Sequence, residues 1–157
     1  MKTLVVGLGN PILGDDGIGI RVAQAVAKYM CVADLEVEFL EASLGGLALA
    51  EQLQGYDRVI LVDAIQTPGG KPGAVYRLNL DDLPTYHADS IHDTSLTTAL
   101  QVFRHQGGHV PGQITIIAIE AVNLHDFGET LTPEVEAAIP LAVDAVLAEL
   151  EISGAGA

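Results

Sequence analysis

The chain has little of several features that mark other classes of protein. It has one cysteine, Cys31, in 157 residues, so it cannot form an internal disulfide and shows no sign of a secreted, cross-linked scaffold. No apolar run approaches the roughly 18–20 residues that span a bilayer, and the apolar start meets Gly7 and Pro11 too early for a signal peptide. We therefore expect a cytoplasmic protein with no membrane partner.

Basic residues are also scarce. Seven Lys and Arg stand against 21 Asp and Glu, which gives a formal net charge of -14. A field of that sign repels nucleic-acid phosphates and anionic lipid headgroups, so we expect no nucleic-acid partner. The same charge attracts metal cations and basic peptides, although acidic surfaces most often serve only solubility.

Apolar residues are plentiful, at 49%, and they are spread from end to end, which is typical of a folded domain. The length fits one domain, which we predict over residues 1–152, followed by a flexible tail of Ser, Gly and Ala at residues 153–157. A monomer is the default expectation.

Period and composition predict five strands. Runs 3–6, 58–62 and 114–119 are short, apolar and rich in β-branched residues, which favours central parallel strands covered on both faces. Runs 35–39 and 75–80 alternate apolar with polar residues, which favours edge strands, the second of them antiparallel.

Between these runs the apolar spacing becomes helical, at residues 18–29, 96–103 and 132–150. In the last helix, Thr132 is a predicted N-cap ahead of Pro133, and Pro140 is expected to kink the helix. Alternating strands and helices predict an α/β fold, an open sandwich with a mostly parallel sheet between helices.

Ligands of such sheets bind beyond the carboxyl ends of the strands, and the residues that the chain places there are mostly acidic. They are Asp15 and Asp16 after the first strand, Glu41 after the second, Asp63 at the end of the third and Glu120 at the end of the fifth. One of the two adjacent aspartates is expected to cap the following helix. Asp63 interrupts an apolar run, where a buried carboxylate needs either a cation or N–H donors from a loop.

His92 falls between the fourth predicted strand and the next helix. A lone histidine there is more often a polar loop residue than a ligand. Two carboxylates and one imidazole from separate loops would nevertheless form an incomplete O,O,N set for a divalent metal, with nickel or zinc favoured over calcium. The other histidines are weaker candidates, because none lies between a strand end and a helix start: His87, His105, His109 and His125.

Other kinds of site find less support in the sequence. The turn at residues 7–17 resembles a G-x-G-x-x-G loop, but Ile12 takes the third glycine position and two carboxylates open the helix where a pyrophosphate needs bare N–H groups. The chain has no H-E-x-x-H helix and no G-x-S-x-G elbow around Ser43, Ser90 or Ser95.

Several motifs together resemble a known family. Residues 7–19, GLGNPILGDDGIG, are similar to the N-terminal signature of the hydrogenase maturation endopeptidases, which trim the C-terminus of the [NiFe]-hydrogenase large subunit. Later landmarks follow in order over about residues 1–150: Leu40-Glu41 with Gly45-Gly46, Leu61 to Ala64, His92 with Leu96, and Leu131 to Pro133.

The resemblance implies a three-layer α/β/α sandwich with a twisted five-stranded sheet, and an aspartyl-type endopeptidase. It implies that Asp16, Asp63 and His92 form a metal-contacting and catalytic trio. The metal would be the nickel of the large-subunit precursor, with zinc or cadmium able to occupy the same donors, and a nickel-free precursor would be ignored. Glu41 stands where relatives often have Asp, so its role stays open.

Two other functions compete with this one. Peptidyl-tRNA hydrolases also begin with a Gly-Leu-Gly-Asn-Pro sequence, but seven Lys and Arg are too few for a basic tRNA-binding patch. A non-enzymatic module, either a metal-binding chaperone of the large subunit or a flavodoxin-like small-ligand receptor, is the alternative from a different class.

Overall fold

The fold is built on a five-stranded sheet with the spatial order β2-β1-β3-β5-β4. The computed structural model describes residues 1–30, 36–43, 46–80 and 96–155, with side chains as far as Glu151. The strands are β1 Thr3–Leu8, β2 Val37–Ala42, β3 Arg58–Ile65, β4 Val75–Asn79 and β5 Gln113–Glu120. Neighbouring strands are parallel except β4, which runs antiparallel to β5. The predicted sheet, with its two edge strands and its antiparallel member, is confirmed.

Helices cover both faces of the sheet, as predicted for an α/β/α sandwich. They are α1 Ile18–Met30, α2 Gly46–Leu53, α3 Leu96–His105, α4 Pro133–Ala137 and α5 Ile139–Ala155. Helices α1, α4 and α5 pack on one face, and α2 and α3 pack on the other. The sequence analysis predicts no helix at α2, which has only eight residues and follows two glycines. Over the described part of the chain, no helix is both long and apolar enough to cross a bilayer.

The alternation of side chains along each strand divides the core into two layers. Val5, Ile60 and Ile117 contribute to the layer under α1 and α5. Their neighbours in sequence, such as Leu61 and Ile116, contribute to the layer under α2 and α3. Because both layers exclude water, the sequences of the central strands are nearly continuous apolar runs.

Strand β3 is longer than the sequence predicts. The predicted strand ends at residue 62, with Asp63 directly beyond it, but β3 continues to Ile65 and pairs with β5 through Asp63, Ala64 and Ile65. Backbone pairing with the long neighbouring strand supports these three residues in an extended conformation. Asp63 therefore lies inside a central strand, with its side chain on the face that α2 and α3 cover.

The predicted C-terminal helix is two helices. Helix α4 ends at Ala137 and α5 begins at Ile139, because Pro140 has no N–H to donate to the carbonyl of Glu136. Thr132 does occupy the N-cap position of α4, with extended backbone angles, but its side chain makes no capping hydrogen bond. Helix α5 extends to Ala155, so residues 153–155 of the predicted tail lie within it.

Two glycines let α1 lie directly against the sheet. A Cβ atom on Gly19 would lie 2.2 Å from the carbonyl oxygen of Val62 and 2.4 Å from that of Leu8, and one on Gly7 would lie 2.7 Å from the carbonyl oxygen of Gly19. Only glycine fits at such distances. This contact fixes the start of α1, and the turn before it, against the carboxyl ends of β1 and β3.

The opposite end of the sheet holds an ionic cluster around a buried carboxylate, that of Glu149. Glu149 of α5 is 2% exposed and accepts two hydrogen bonds from Arg77, at 2.7 and 2.9 Å, and one from the hydroxyl of Thr115 at 3.0 Å. Arg58 donates from Nη1 to the Glu149 carbonyl oxygen at 2.9 Å. The hydrogen bonds from Arg77 hold the pKa of Glu149 below its usual value, and burial lowers the pKa of Arg58.

Gly19→Ala tests the contact between α1 and the sheet. Alanine favours a helix over glycine by about 1 kcal/mol, so the substitution would stabilise α1 if space were available. Because the new methyl group meets the Val62 and Leu8 carbonyls, we expect the free energy of unfolding in urea to fall by about 2 kcal/mol. Gly112→Ala is the control, since its Cβ meets nothing within 4 Å. Equal stability of the two variants would contradict this packing.

Glu149→Gln tests the ionic cluster around Glu149 through the pH dependence of stability. The folded-state pKa of Glu149 lies below the unfolded value, so its charge stabilises the fold above about pH 4 and that contribution is lost as the pH falls through the folded pKa. We expect Glu149→Gln to lower the free energy of unfolding by about 2 kcal/mol near pH 7, and the difference from wild type to shrink below about pH 4. Glu151→Gln is the control, because Glu151 is exposed. If the stability difference between Glu149→Gln and wild type did not change with pH, the ionic role of Glu149 would be ruled out.

Candidate active site

Two predicted site carboxylates lie at the carboxyl end of neighbouring strands. Asp16 lies in a short 3-10 helix, Gly14–Gly17, that follows β1, and Asp63 lies in β3, one residue beyond the pair Gly7 and Val62. Both side chains are buried, with Asp16 1% and Asp63 6% exposed. A buried carboxylate needs partners or a cation, so both positions call for a physical explanation.

Asp16 is held against the loop that leaves β1. Gly9 has a φ of 140°, and a Cβ there would lie 1.8 Å from the Asp16 carbonyl oxygen, so glycine is required for this close approach. The N–H of Asn10 donates to Asp16 Oδ2 at 2.8 Å. Among the residues that the structure describes, no donor reaches the second oxygen, Oδ1. Asp16 is thus a buried carboxylate with one oxygen still able to accept a ligand or a proton.

Asp63 has a different setting. Its Oδ1 accepts a hydrogen bond from the N–H of the next residue, Ala64, at 2.8 Å. Its side chain lies on the face of the sheet that α3 covers, and α3 begins at Leu96. His92 precedes that helix by four residues in the sequence.

His92 itself lies outside the described residues, so its contact with the two aspartates stays a prediction. Within residues 1–30, 36–43, 46–80 and 96–155, no group of three or more His, Cys, Asp or Glu side chains could hold a metal ion. That Asp16 and Asp63 bind a metal together with His92 therefore also stays a prediction.

Asp15, next to Asp16, has a structural role. Its carboxylate accepts hydrogen bonds from the N–H groups of Val122 and Asn123, each at 2.9 Å, and from the N–H of Thr132 at 2.7 Å. The Thr132 hydroxyl also donates to it, at 2.9 Å to Oδ2. The sequence predicts that one of the two aspartates caps α1, whereas Asp15 ties the turn after β1 to the loop after β5 and to the start of α4.

The other acidic residues at this edge are also engaged. Glu120 is 3% exposed and accepts hydrogen bonds from the Thr67 N–H at 2.9 Å, from the Thr67 hydroxyl and from Tyr76 at 3.0 Å. Burial raises the pKa of Tyr76, and its hydrogen bond to Glu120 adds to the rise. Glu41 is exposed and accepts a hydrogen bond from Gln24 of α1 at 2.8 Å. Glu120 thus organises the loop between β3 and β4, and Glu41 faces α1.

The remaining histidine and serine candidates lie elsewhere or do other work. His109 pairs with Asp57 at 3.1 Å, at the amino end of the sheet, and His105 and His125 are exposed. Ser43 donates its hydroxyl to the Gly9 carbonyl oxygen at 2.8 Å, which joins the end of β2 to the loop before Asp16. The structure gives no account of four other candidates, which fall outside the described residues: Cys31, His87, Ser90 and Ser95.

Sequence reasoning missed the residues that position Asp16. Asn10 contributes only its backbone N–H, and the role of Gly9 depends on a contact with a residue seven positions later. The signal was present in the glycine-rich turn, since closely spaced glycines mark places where the backbone approaches another group. The glycine spacing did not indicate which of the two following aspartates the turn would contact.

Comparison with known proteins gives one consistent family. The family model described as hydrogenase maturation protease matches residues 20–149. The chain is 33% identical over 158 residues to the hydrogenase 2 maturation protease of Escherichia coli strain K12, covering 98% of this chain and 93% of that protein. It is 31% identical to the hydrogenase expression/formation protein HupD of Rhizobium leguminosarum bv. viciae, with coverage of 98% and 76%.

A solved structure agrees with these sequence matches. The hydrogenase maturating endopeptidase HybD from E. coli matches with a TM-score of 0.83 and 32% identity, over 98% of this chain and 94% of that one. The matches favour the family implied by the N-terminal motif over the peptidyl-tRNA hydrolase and binding-module alternatives.

Asp15→Asn and Asp16→Asn test whether the two adjacent aspartates have different roles. In Asp15→Asn, the new NH2 group faces backbone N–H groups that donate hydrogen bonds to the wild-type carboxylate, so some of these bonds are lost. We therefore expect the free energy of unfolding to fall by about 3 kcal/mol. Asn at position 16 disturbs a single hydrogen bond, so we expect a change within about 1 kcal/mol. Urea unfolding of both proteins measures this, and equal losses would contradict the assignment.

Proposed function

Because the chain belongs to the hydrogenase maturation protease family, a family of endopeptidases, we propose that it removes the C-terminal extension from a [NiFe]-hydrogenase large-subunit precursor. The observation that carries the assignment to a site is the carboxylate of Asp16. It is buried at the carboxyl end of β1 and has one oxygen without a donor among the described residues, while the strand beside it carries Asp63.

The donor set fits a divalent cation that the substrate brings. Asp16 and Asp63 supply carboxylate oxygens and His92 would supply an imidazole nitrogen, a combination that suits borderline ions such as nickel better than calcium. Three protein donors leave coordination positions for the substrate's own ligands. In this proposal the nickel of the precursor is part of what is recognised, so a precursor without nickel stays uncut. Zinc and cadmium would compete for the same donors.

Hydrolysis of the peptide bond needs a water oxygen to attack the carbonyl carbon and a proton to reach the leaving amine. A carboxylate within hydrogen-bond reach can accept the proton of the attacking water and pass it to the amine. Asp16 Oδ1 can fill that role or hold the substrate's cation in place next to the scissile bond. Both uses need an ionised carboxylate, so replacing it with an amide removes both.

We also propose that the reaction takes place in the cytoplasm on a monomeric enzyme. Because the chain has a single cysteine, an oxidising compartment could not stabilise the fold with an internal disulfide. The charge of -14 further supports a protein substrate over a nucleic-acid one.

Substitution of the trio tests the proposal. With nickel-loaded precursor, we expect Asp16→Asn, Asp63→Asn and His92→Ala each to slow release of the C-terminal peptide by about 100-fold or more, because each loses a ligand or a proton acceptor. Asp144→Asn is the matched control, since Asp144 is exposed on α5, and it should cleave within about twofold of wild type. Mass spectrometry of the large subunit follows the reaction.

The same experiment separates an enzyme from a chaperone. An enzyme trims many equivalents of precursor, whereas a chaperone gives only a stoichiometric complex with the extension intact. Undiminished trimming by both Asp16→Asn and His92→Ala would refute the proposed site.

A further inference from the structure

Exposed apolar side chains gather near the candidate site. Ile12 follows β1 and is 47% exposed, while Val122 and Phe127 follow β5 and are 48% and 85% exposed. We call these three residues the apolar rim. The chain has only three phenylalanines, Phe127 among them, so the exposure of Phe127 is not explained by a large number of aromatic residues.

The loops that carry the apolar rim are held together by backbone hydrogen bonds. The Gly128 N–H donates to the Ile12 carbonyl oxygen at 2.8 Å, and the Gly14 N–H donates to the Gly128 carbonyl oxygen at 2.9 Å. Asp15 accepts the N–H of Val122 at 2.9 Å. The residues next to Phe127 are thus tied to the turn that bears Ile12 and Asp16.

A rigid, exposed apolar surface is suited to binding. The contact of apolar area with water is unfavourable, and burying that area against a partner removes the penalty. Because the loops are already ordered, docking forfeits little conformational entropy. Aromatic side chains presented in this way are typical of the residues that dominate protein interfaces.

We propose that the apolar rim is the docking surface for the folded body of the large-subunit precursor, an inference that rests on the proposed function. An endopeptidase must contact a protein at its active site, and the loops of the apolar rim are hydrogen-bonded to the turn that carries Asp16. Charge points to the chemistry of the partner. Asp126 and Glu129 are exposed on either side of Phe127, so they complement an apolar patch bordered by Lys or Arg.

The test compares the double variant Ile12→Ser, Phe127→Ser with Tyr29→Ser. Tyr29 is also exposed, at 71%, but it lies in the last turn of α1, away from the carboxyl end of the sheet. Binding of the nickel-loaded large-subunit precursor is measured by biolayer interferometry. We expect the Kd to rise by about tenfold or more for the double variant and to change by less than about twofold for Tyr29→Ser. Charge reversal, Asp126→Lys with Glu129→Lys, should slow association.

Each outcome decides the inference. Equal Kd values for the double variant and Tyr29→Ser, or no binding by the wild-type chain, would overturn it. Urea unfolding of all the proteins shows whether each is folded, and Phe127→Ser alone replaces the double variant if that one is unstable. A concentration-dependent dimer that the double variant abolishes would identify a second copy as the occupant instead. Cleavage is measured separately from binding. If the wild-type chain binds the precursor without cleaving it, the proposed function is contradicted. The Kd comparison still shows whether the apolar rim is the docking surface.

Discussion

The carboxylate of Asp15 holds the carboxyl end of the sheet together. It accepts hydrogen bonds from Val122, Asn123 and Thr132, which lie more than one hundred residues later in the chain. The turn after β1, the loop after β5 and the start of α4 therefore meet at one buried charge. Asp16 and Phe127 lie on two of the segments that meet there.

Hydrogen bonding separates the structural carboxylates from the functional candidate. In Asp15, Glu120 and Glu149, both oxygens of the buried carboxylate accept hydrogen bonds. Asp16 accepts one, on Oδ2, within the part of the chain that the structure describes. A carboxylate in a nearly closed setting loses most of its hydration, and a cation or a proton that a substrate supplies compensates that loss. That difference is the reason why we propose Asp16 as the site of the chemistry.

The sequence predicted most of the sheet but only part of the site. Central strands such as 114–119 could be identified because burial on both faces demands a continuous run of β-branched residues. The extension of β3 through Asp63 could not, since it depends on pairing with β5 and not on local residue types. Helix α2 is too short and too close to two glycines to give a clear helical period. The roles of Asp15 and Asp16 could not be told apart, because they are set by loops distant in sequence. The positions of Asp16 and Asp63 at neighbouring strand ends were predicted correctly, whereas their role and the contact of His92 with them stay predictions.

Trimming of a hydrogenase large subunit through the carboxylate of Asp16 can be tested in cells. The most direct measurement is the intact mass of the large subunit from cells that carry the wild-type chain, the Asp16→Asn variant or no chain. We expect the shorter, mature mass only with the wild-type chain, and the mass with the C-terminal extension in the other two. A mature mass in cells that carry Asp16→Asn, or in cells with no chain, would contradict this proposal.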